Sequence, residues 1–225
     1  MSIRFSPSAL NVFRDCPACF WRDKKQNIKR PQGIKSSLPM AIDRILKARF
    51  DASRPEFPSE TNLANLEGFS LYKDQGQLDR WRNWRSGMVY NDPNGRFVLT
   101  GAVDDLIVAP DDRIAILDYK SKGTAASEDY AEKYYQFQMD CYSLMLSAQS
   151  DIQAFPRSYF AFYYPQELQF QSQIISISNH PENAVKVCND AVDCLENPSM
   201  PKPSVKEGKT CEHCCYLNQG MLVTP

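Results

Sequence analysis

Long apolar runs are absent from this sequence of 225 residues, and so are internal repeats and low-complexity tracts. A helix needs about 20 consecutive apolar residues to cross a bilayer, so no transmembrane segment is predicted and no membrane partner is expected. The N-terminal residues, MSIRFSPSALNVF, also lack the charged-then-apolar layout of a signal peptide. We therefore expect a soluble, cytoplasmic protein, and its length suits a single domain over residues 1–225.

The sequence also lacks a large net charge of either sign, since its formal net charge is −1. The charges are nevertheless unevenly distributed. Residues 1–100 contain 17 basic and 10 acidic residues, a net charge of +7, whereas residues 101–225 contain 9 basic and 17 acidic residues, a net charge of −8. A basic half that faces a polyanion and an acidic half that binds cations would produce this asymmetry, and so would ordinary surface variation.

The apolar periodicity predicts alternating helices and strands. Ser6-Pro7 is typical of a helix N-cap followed by proline at the first helical position, and this helix should end near Pro17. A polar, basic loop is predicted over residues 23–35. Further helices are predicted at residues 38–54, 77–90, 128–148 and 183–197, and strands at 96–109, 113–122, 157–165 and 170–178. In the second of these helices the spacing of Trp81 and Trp84 favours core packing over stacking on bases. The order of elements indicates one α/β domain with a mixed sheet.

Two of the predicted strands carry an unusual number of acidic residues. They are joined by the turn-forming Pro110-Asp111-Asp112, and alternation along the second strand places Asp118 and Lys120 on the same face. A two-residue loop would place Asp105 opposite Asp118, whereas a three-residue loop would place Asp104 there. The hairpin alone leaves both registers open.

Two carboxylates that converge at a buried sheet repel each other unless a cation lies between them. Oxygen ligands with an open coordination sphere suit Mg²⁺ or Mn²⁺, and a neighbouring lysine can orient water and offset charge in the transition state. The residues therefore fit metal-assisted phosphodiester hydrolysis. An isolated Asp-x-Lys tripeptide equally fits an exposed edge hairpin, whose charges discourage strand pairing.

Eight cysteines are many for a cytosolic chain, and four of them form two Cys-x-x-Cys units, at Cys16–Cys19 and Cys211–Cys214. Four thiolates suit a tetrahedral Zn²⁺ or a cubane iron–sulfur cluster. A metal held by both units would join the N-terminal and C-terminal segments, which indicates a structural role. The isolated Cys141, Cys188 and Cys194 are expected to be buried as small apolar residues.

Three short motifs occur in a fixed order: Gly101-Ala-Val-Asp104, Asp118-Tyr-Lys120 and Gln138-Met-Asp-Cys-Tyr142. Together with the opening SPSALNVFRDCP, they resemble the RecB-like branch of the PD-(D/E)XK nuclease superfamily. The resemblance implies a restriction-endonuclease-like α/β core, with a central mixed sheet flanked by helices. It also implies a Mg²⁺- or Mn²⁺-dependent deoxyribonuclease, expected to be an exonuclease, with DNA and a helicase or other DNA-processing protein as partners. The alternative is an inactive DNA-binding or scaffold subunit with the same fold.

Carried onto these motifs, the resemblance assigns metal ligation to Asp104 and Asp118, catalysis to Lys120 and an additional ligand to the carbonyl of Tyr119. It thereby selects the register that places Asp104 opposite Asp118. It also implies that Gln138 and Tyr142 border the site, where they contact substrate or fix the lysine.

The sequence differs from the family in two respects. Members of the branch usually have a histidine ligand on an N-terminal helix, where this sequence has Asp43; this carboxylate could replace the histidine, but an ion pair with Arg44 or Lys47 explains it equally well. Some members bind a 4Fe–4S cluster through one N-terminal and three C-terminal cysteines, whereas here the division is two and two. The resemblance implies a 4Fe–4S cluster on Cys16, Cys19, Cys211 and Cys214, and the different division of the cysteines leaves Zn²⁺ as the alternative.

Overall fold

The structure is a computed structural model, and it describes residues 2–31, 37–62, 64–85, 87–166 and 169–221, with side chains up to residue 217. The chain divides into two compact units, each formed by several segments. The first consists of Met1–Lys35, Asn91–Leu99 and Val185–Pro225, and the second of Ser36–Tyr90 and Thr100–Ala184. The single domain expected from the sequence stays a prediction.

A mixed five-stranded sheet forms the centre of the second unit. Its strands are β2 (Ser70–Leu71), β5 (Asp105–Val108), β6 (Ile114–Ser121), β7 (Arg157–Gln166) and β8 (Gln169–Ser178), in the order β2-β5-β6-β7-β8. Strands β6 and β7 are parallel, and the other neighbours are antiparallel. The α/β class with a mixed sheet is therefore confirmed.

Two helices cover this sheet and contact alternate residues of its central strands. Leu46 and Phe50 of α3 (Ser37–Ser53) belong to the same apolar cluster as Leu117, Tyr119 and Tyr159. The even-numbered residues of the strands contact α5 (Glu128–Ser147) instead; its Tyr135 ring lies 5.5 Å from the Phe160 ring. Because side chains alternate along a strand, Asp118 and Lys120 share the face next to α5.

The register of the acidic hairpin is the one that the family resemblance selects. Asp105 pairs with Leu117 and Val108 with Ile114, and Pro110-Asp111-Asp112 forms the turn. One further step along this register brings Asp104 opposite Asp118. The predicted strand over residues 96–109 is instead two strands, β4 (Phe97–Gly101) and β5, separated by residues 102–104. In this gap the backbone bonds to α4 instead of to a strand: Val103 N–H donates to the Trp81 carbonyl at 3.3 Å, and the Asp104 carbonyl accepts from Arg82 Nε at 2.6 Å.

The first unit contains both halves of the cysteine pattern. Strand β1 (Ile3–Phe5) pairs in parallel with residues Phe97–Leu99 of β4. Ser6 caps α1 (Pro7–Asp15) by accepting a hydrogen bond from the Ala9 N–H, as predicted. The helix ends before Pro17, where α2 (Pro17–Trp21) begins. The basic loop predicted over residues 23–35 is partly wrong, because Arg22–Gln26 form a π-helical turn; residues 32–36 lie outside the described part of the chain.

The remaining elements are short or peripheral: β3 (Met88–Asn91), α4 (Gln75–Arg82), α6 (Pro181–Glu196), α7 (Glu212–Met221), β9 (Val205–Lys206) and β10 (Lys209–Thr210). The predicted core role holds for Trp81, which is 6 % exposed, and is wrong for Trp84, which is 77 % exposed. The helix ends at Arg82, before the spacing of the two tryptophans can place them on one face. None of the described helices is both long and apolar enough to span a membrane.

Candidate active site

The acidic hairpin contributes two carboxylates and a lysine to one site. Lys120 Nζ forms an ion pair with Asp118 Oδ2, and the Tyr119 N–H donates a hydrogen bond of 3.2 Å to Asp104 Oδ2. A cavity of about 470 Å³ opens beside them, lined by residues that include Asp43, Asp104, Tyr119 and Lys120. The position of the Tyr119 backbone and the cavity beside it are compatible with a ligand role for the Tyr119 carbonyl.

Asp118 is buried in an environment that penalises its charge. Its Oδ2 atom is buried and forms an ion pair with the Lys120 ammonium, while Oδ1 accepts a long hydrogen bond of 3.5 Å from Gln138. Burial raises the pKa of Asp118 to about 6, against the opposing effect of Lys120, and the charge of Asp104 contributes to the rise. A buried carboxylate beside a second carboxylate, with one ammonium and one long hydrogen bond to offset its charge, fits a divalent cation.

Lys47 connects Asp43 to the hairpin. Its Nζ lies 2.9 Å from Asp43 Oδ2, one helical turn away on α3, and 2.8 Å from Asp104 Oδ1. Burial opposes the charge on Lys47, but Asp104 and Asp43 outweigh it and raise its pKa. Both alternatives considered for Asp43 are therefore compatible with its position: it forms an ion pair with Lys47, and this same ammonium brings it close to Asp104. The contact between Lys47 and Asp104 was missed in the sequence because no local spacing relates the two residues.

Helix α5 contributes the polar side chains that fix Lys120. Gln138 accepts a hydrogen bond from Lys120 Nζ at 3.5 Å and donates to Asp118 Oδ1 at 3.5 Å and to the Tyr142 hydroxyl at 2.9 Å. Lys120 Nζ also lies 4.7 Å from the centre of the Tyr135 ring. Tyr142 is buried, and burial raises the pKa of its hydroxyl well above the usual value. Gln138 thus contacts both Asp118 and Lys120, and the Tyr142 hydroxyl orients Gln138 by accepting a hydrogen bond from it.

Asp105 belongs to a buried ion-pair network that sequence reasoning missed. Its carboxylate is fully buried and accepts hydrogen bonds from Arg54 at 2.8 and 3.0 Å, from Arg82 at 3.1 Å and from the Tyr119 hydroxyl. Asp51 in turn accepts hydrogen bonds from both arginines at 2.8 Å. We call these five residues the Asp105 network. It holds the carbonyl of Asp104 through Arg82, so it fixes the backbone that carries the Asp104 carboxylate.

A comparison with protein-family models finds that the PD-(D/E)XK nuclease superfamily model matches residues 4–219. The chain belongs to this superfamily. No curated protein matches the chain significantly. Membership implies a nuclease that hydrolyses phosphodiester bonds, and such nucleases typically use divalent metals. The mixed sheet flanked by α3 and α5 is consistent with the core of this nuclease superfamily.

The nuclease also brings its two Cys-x-x-Cys units together. Sulfur–sulfur distances are 3.7 Å for Cys16–Cys214, 3.7 Å for Cys19–Cys211 and 3.4 Å for Cys19–Cys214. We call these four residues the cysteine cluster; they could hold a metal ion. Cys16 lies between α1 and α2, and Cys214 lies in the first turn of α7, so each half is positioned by a helix end.

The surroundings of the cysteine cluster supply donors to its sulfurs. Ser204 N–H donates to Cys16 Sγ at 3.4 Å, and Arg30 approaches Cys211 Sγ at 3.8 Å while its other nitrogen pairs with Asp15 at 2.6 Å. Such donors favour the thiolate form that binds metal. Outside the cluster, Cys141 and Cys188 are buried as predicted, whereas Cys194 is half-buried.

Proposed function

We propose that the protein is a DNA nuclease whose active site holds Mg²⁺ or Mn²⁺ on Asp104 and Asp118. The observation that carries this proposal is the convergence of Asp104, the buried Asp118 and Lys120 beside an open cavity. Asp43 and the Tyr119 carbonyl are further candidate ligands. When bound, the metal would lower the pKa of water and offset charge on the phosphate.

In this proposal the protein's own groups position and stabilise the reacting atoms. Lys120, fixed by Gln138 and by the Tyr135 ring, orients the attacking water and stabilises negative charge on the phosphate as it develops. The family motif that includes Gln138 and Tyr142 supports placement in the RecB-like branch and exonucleolytic action. The net charge of +7 over residues 1–100 supports a polyanionic substrate.

One observation favours the alternative, a DNA-binding subunit without turnover. The Lys47 ammonium lies between Asp43 and Asp104, where it offsets the charge of both carboxylates as a divalent cation would. A cation that binds both carboxylates must therefore compete with Lys47. The contacts among Asp118, Lys120 and Gln138 support the catalytic proposal over this alternative.

The test compares wild-type protein with Lys120→Ala on linear and circular DNA, single- and double-stranded, in Mg²⁺ or Mn²⁺. We expect degradation by the wild type and a loss of about a thousandfold in the variant, since a positioned charge at the reacting phosphate is removed. Lys73→Ala, which removes an exposed lysine of the same unit, is the matched control and should behave as wild type. No degradation by the wild type, or equal degradation by wild type and Lys120→Ala, would contradict the proposal.

For the cysteine cluster we propose a single tetrahedral Zn²⁺ rather than the 4Fe–4S cluster that the resemblance implies. Tetrahedral Zn–S bonds of about 2.3 Å separate the sulfurs by about 3.8 Å. Three of the six separations are 3.4 to 3.7 Å and all six are within 4.8 Å, which is close to this value. In a cubane each thiolate binds a different iron, so the sulfurs would lie further apart. Metal analysis of anaerobically purified protein should find one zinc per chain, and a brown protein that contains iron and acid-labile sulfide would contradict the proposal.

A further inference from the structure

Helix α5 carries a continuous row of polar and aromatic side chains that extends beyond the candidate active site. Tyr130, Tyr134, Gln138 and Tyr142 follow one another at intervals of four residues, so neighbours in the row lie one turn apart on one side of the helix. The inner pair, Gln138 and Tyr142, is hydrogen-bonded at 2.9 Å and borders Asp118. The outer pair, Tyr130 and Tyr134, has no part in the site described above.

The outer pair is packed together and partly open to solvent. The two rings lie 4.7 Å apart at an angle of 47°, Tyr134 is 57 % exposed, and Tyr130 is half-buried. We call this pair the tyrosine platform. An isolated exposed aromatic residue needs no explanation, but two adjacent rings at the end of a row that leads to catalytic groups form a continuous surface.

Each ring of the tyrosine platform has an ammonium beside it. Lys122 Nζ lies 4.9 Å from the centre of the Tyr130 ring, and Lys133 Nζ lies 5.3 Å from that of Tyr134. The pairing of a ring with an ammonium is repeated toward the candidate active site. The Tyr130 ring lies 6.1 Å from the Tyr135 ring, and the Tyr135 ring lies 4.7 Å from Lys120 Nζ. The acidic Glu132, two residues before Tyr134, lies about 200° away around the helix. Three neighbouring rings, those of Tyr134, Tyr130 and Tyr135, therefore each have an ammonium beside them, and the last of these ammonium groups is the candidate catalytic lysine.

A row of aromatic rings with an ammonium beside each ring matches the bases and phosphates of a nucleic acid strand. An apolar ligand would make no use of the lysines, and a small anion would make no use of the rings. A duplex would not fit the rings well, because its bases are covered by their neighbours in the stack. A single strand presents free base faces together with its phosphates.

We propose that the tyrosine platform stacks against bases of a single-stranded DNA segment next to the cleaved phosphate, with Lys122 and Lys133 contacting the phosphates of that segment. This inference rests on the proposed function and adds to it a preference for single strands or unpaired ends. Tyr130 and Tyr134 are binding residues in this proposal and take no part in the chemistry.

The test measures equilibrium binding of an end-labelled single strand of about 12 nucleotides and of a blunt duplex of the same sequence, with Ca²⁺ in place of Mg²⁺. Tyr134→Leu should weaken single-strand binding about tenfold, and Tyr130→Leu combined with Tyr134→Leu about a hundredfold, since each stacked base contributes a similar amount. Tyr134→Phe keeps the ring and should bind as wild type. Binding of the duplex should change by less than about twofold in all three.

The contribution of the lysines to single-strand binding is measured separately, from the salt dependence of that binding. Lys133→Ala should reduce the salt dependence of single-strand binding by about one phosphate contact. Circular dichroism of Tyr134→Leu should match that of wild type, because the substituted side chain is mostly exposed. Equal weakening for single strand and duplex, unchanged binding by the double variant, or no binding of single strands by wild type would each overturn the platform.

The outcomes separate this inference from the proposed function. Wild-type protein that binds single strands through the platform but degrades no DNA in Mg²⁺ or Mn²⁺ refutes the hydrolysis and keeps the platform. Wild-type protein that degrades DNA, while the leucine variants bind single strands as well as wild type does, refutes the platform alone.

Discussion

The carboxylate site and the cysteine cluster are two candidate metal centres built on opposite principles. The carboxylate site comes mainly from one hairpin, is bordered by an open cavity, and has its charges offset by Lys47 and Lys120. The cysteine cluster comes from residues nearly 200 positions apart, and its sulfurs lie within 4.8 Å of one another. An open oxygen site with spare coordination suits catalysis on a substrate, whereas four thiolates that complete a coordination sphere suit a structural ion.

The two centres should respond independently to loss of their ligands, and the largest effect is expected at the carboxylate site. Asp118→Asn keeps the shape of the side chain but removes the charge that binds the cation, so DNA cleavage should fall by about a thousandfold or more. The metal content of the cysteine cluster should stay unchanged. A cleavage assay and metal analysis of the same preparation measure both.

The matched control for this variant is Asp79→Asn, which removes an exposed acid from α4, where its side chain is 61 % exposed. It should leave cleavage and metal content as in wild type. Cleavage by Asp118→Asn at the wild-type rate would remove Asp118 from the site, and loss of metal from the cysteine cluster would show that the two centres are coupled.

Cys214→Ser tests the structural role of the cysteine cluster. Binding of a structural zinc contributes about 10–16 kcal/mol in small domains, so loss of one thiolate should release the metal and lower the free energy of unfolding by several kcal/mol. The neighbouring Cys215 is exposed and lies outside the cluster, so Cys215→Ser provides a control that differs by one position. Thermal unfolding and zinc analysis measure the effect, and equal behaviour of the two variants would contradict a structural role for the cluster.

The Asp105 network supports the carboxylate site through Arg82, which donates a hydrogen bond to the carbonyl of Asp104. Arg54→Met should destabilise the protein by about 3–5 kcal/mol, because it leaves the buried Asp105 with one arginine fewer. Arg49→Met is the matched control: its ion pair with Glu60 is exposed, and its loss should cost less than about 1 kcal/mol. Denaturant unfolding measures both variants. Similar losses of unfolding free energy in both variants would mean that the Asp105 network stabilises the protein no more than an exposed ion pair does.

The sequence predicted which side chains come together in these two regions better than it predicted the contacts that support them. The proximity of Asp104, Asp118 and Lys120 could be predicted because strand alternation and the motif order are local, and the three-residue turn agrees with the register. Lys47 and Arg82 were missed, since their contacts with Asp104 span 57 and 22 residues and depend on how α3 and α4 pack. The predicted strand over residues 96–109 failed at Asp104 for the same reason, because the hydrogen bond from Arg82 to its carbonyl is invisible to periodicity.

The smallest expected effect concerns pH. The pKa of Asp118 is raised to about 6 by burial, so below this pH the carboxyl group is protonated in the folded protein and a divalent cation must displace the proton to bind. Affinity for Mn²⁺ should therefore be nearly constant above about pH 7 and fall about tenfold per unit below about pH 6. Titration followed by electron paramagnetic resonance measures this dependence, with Asp79→Asn as the control that keeps it. Constant affinity down to about pH 5 would mean that Asp118 stays ionised despite its burial, and that Lys120 rather than a cation offsets its charge.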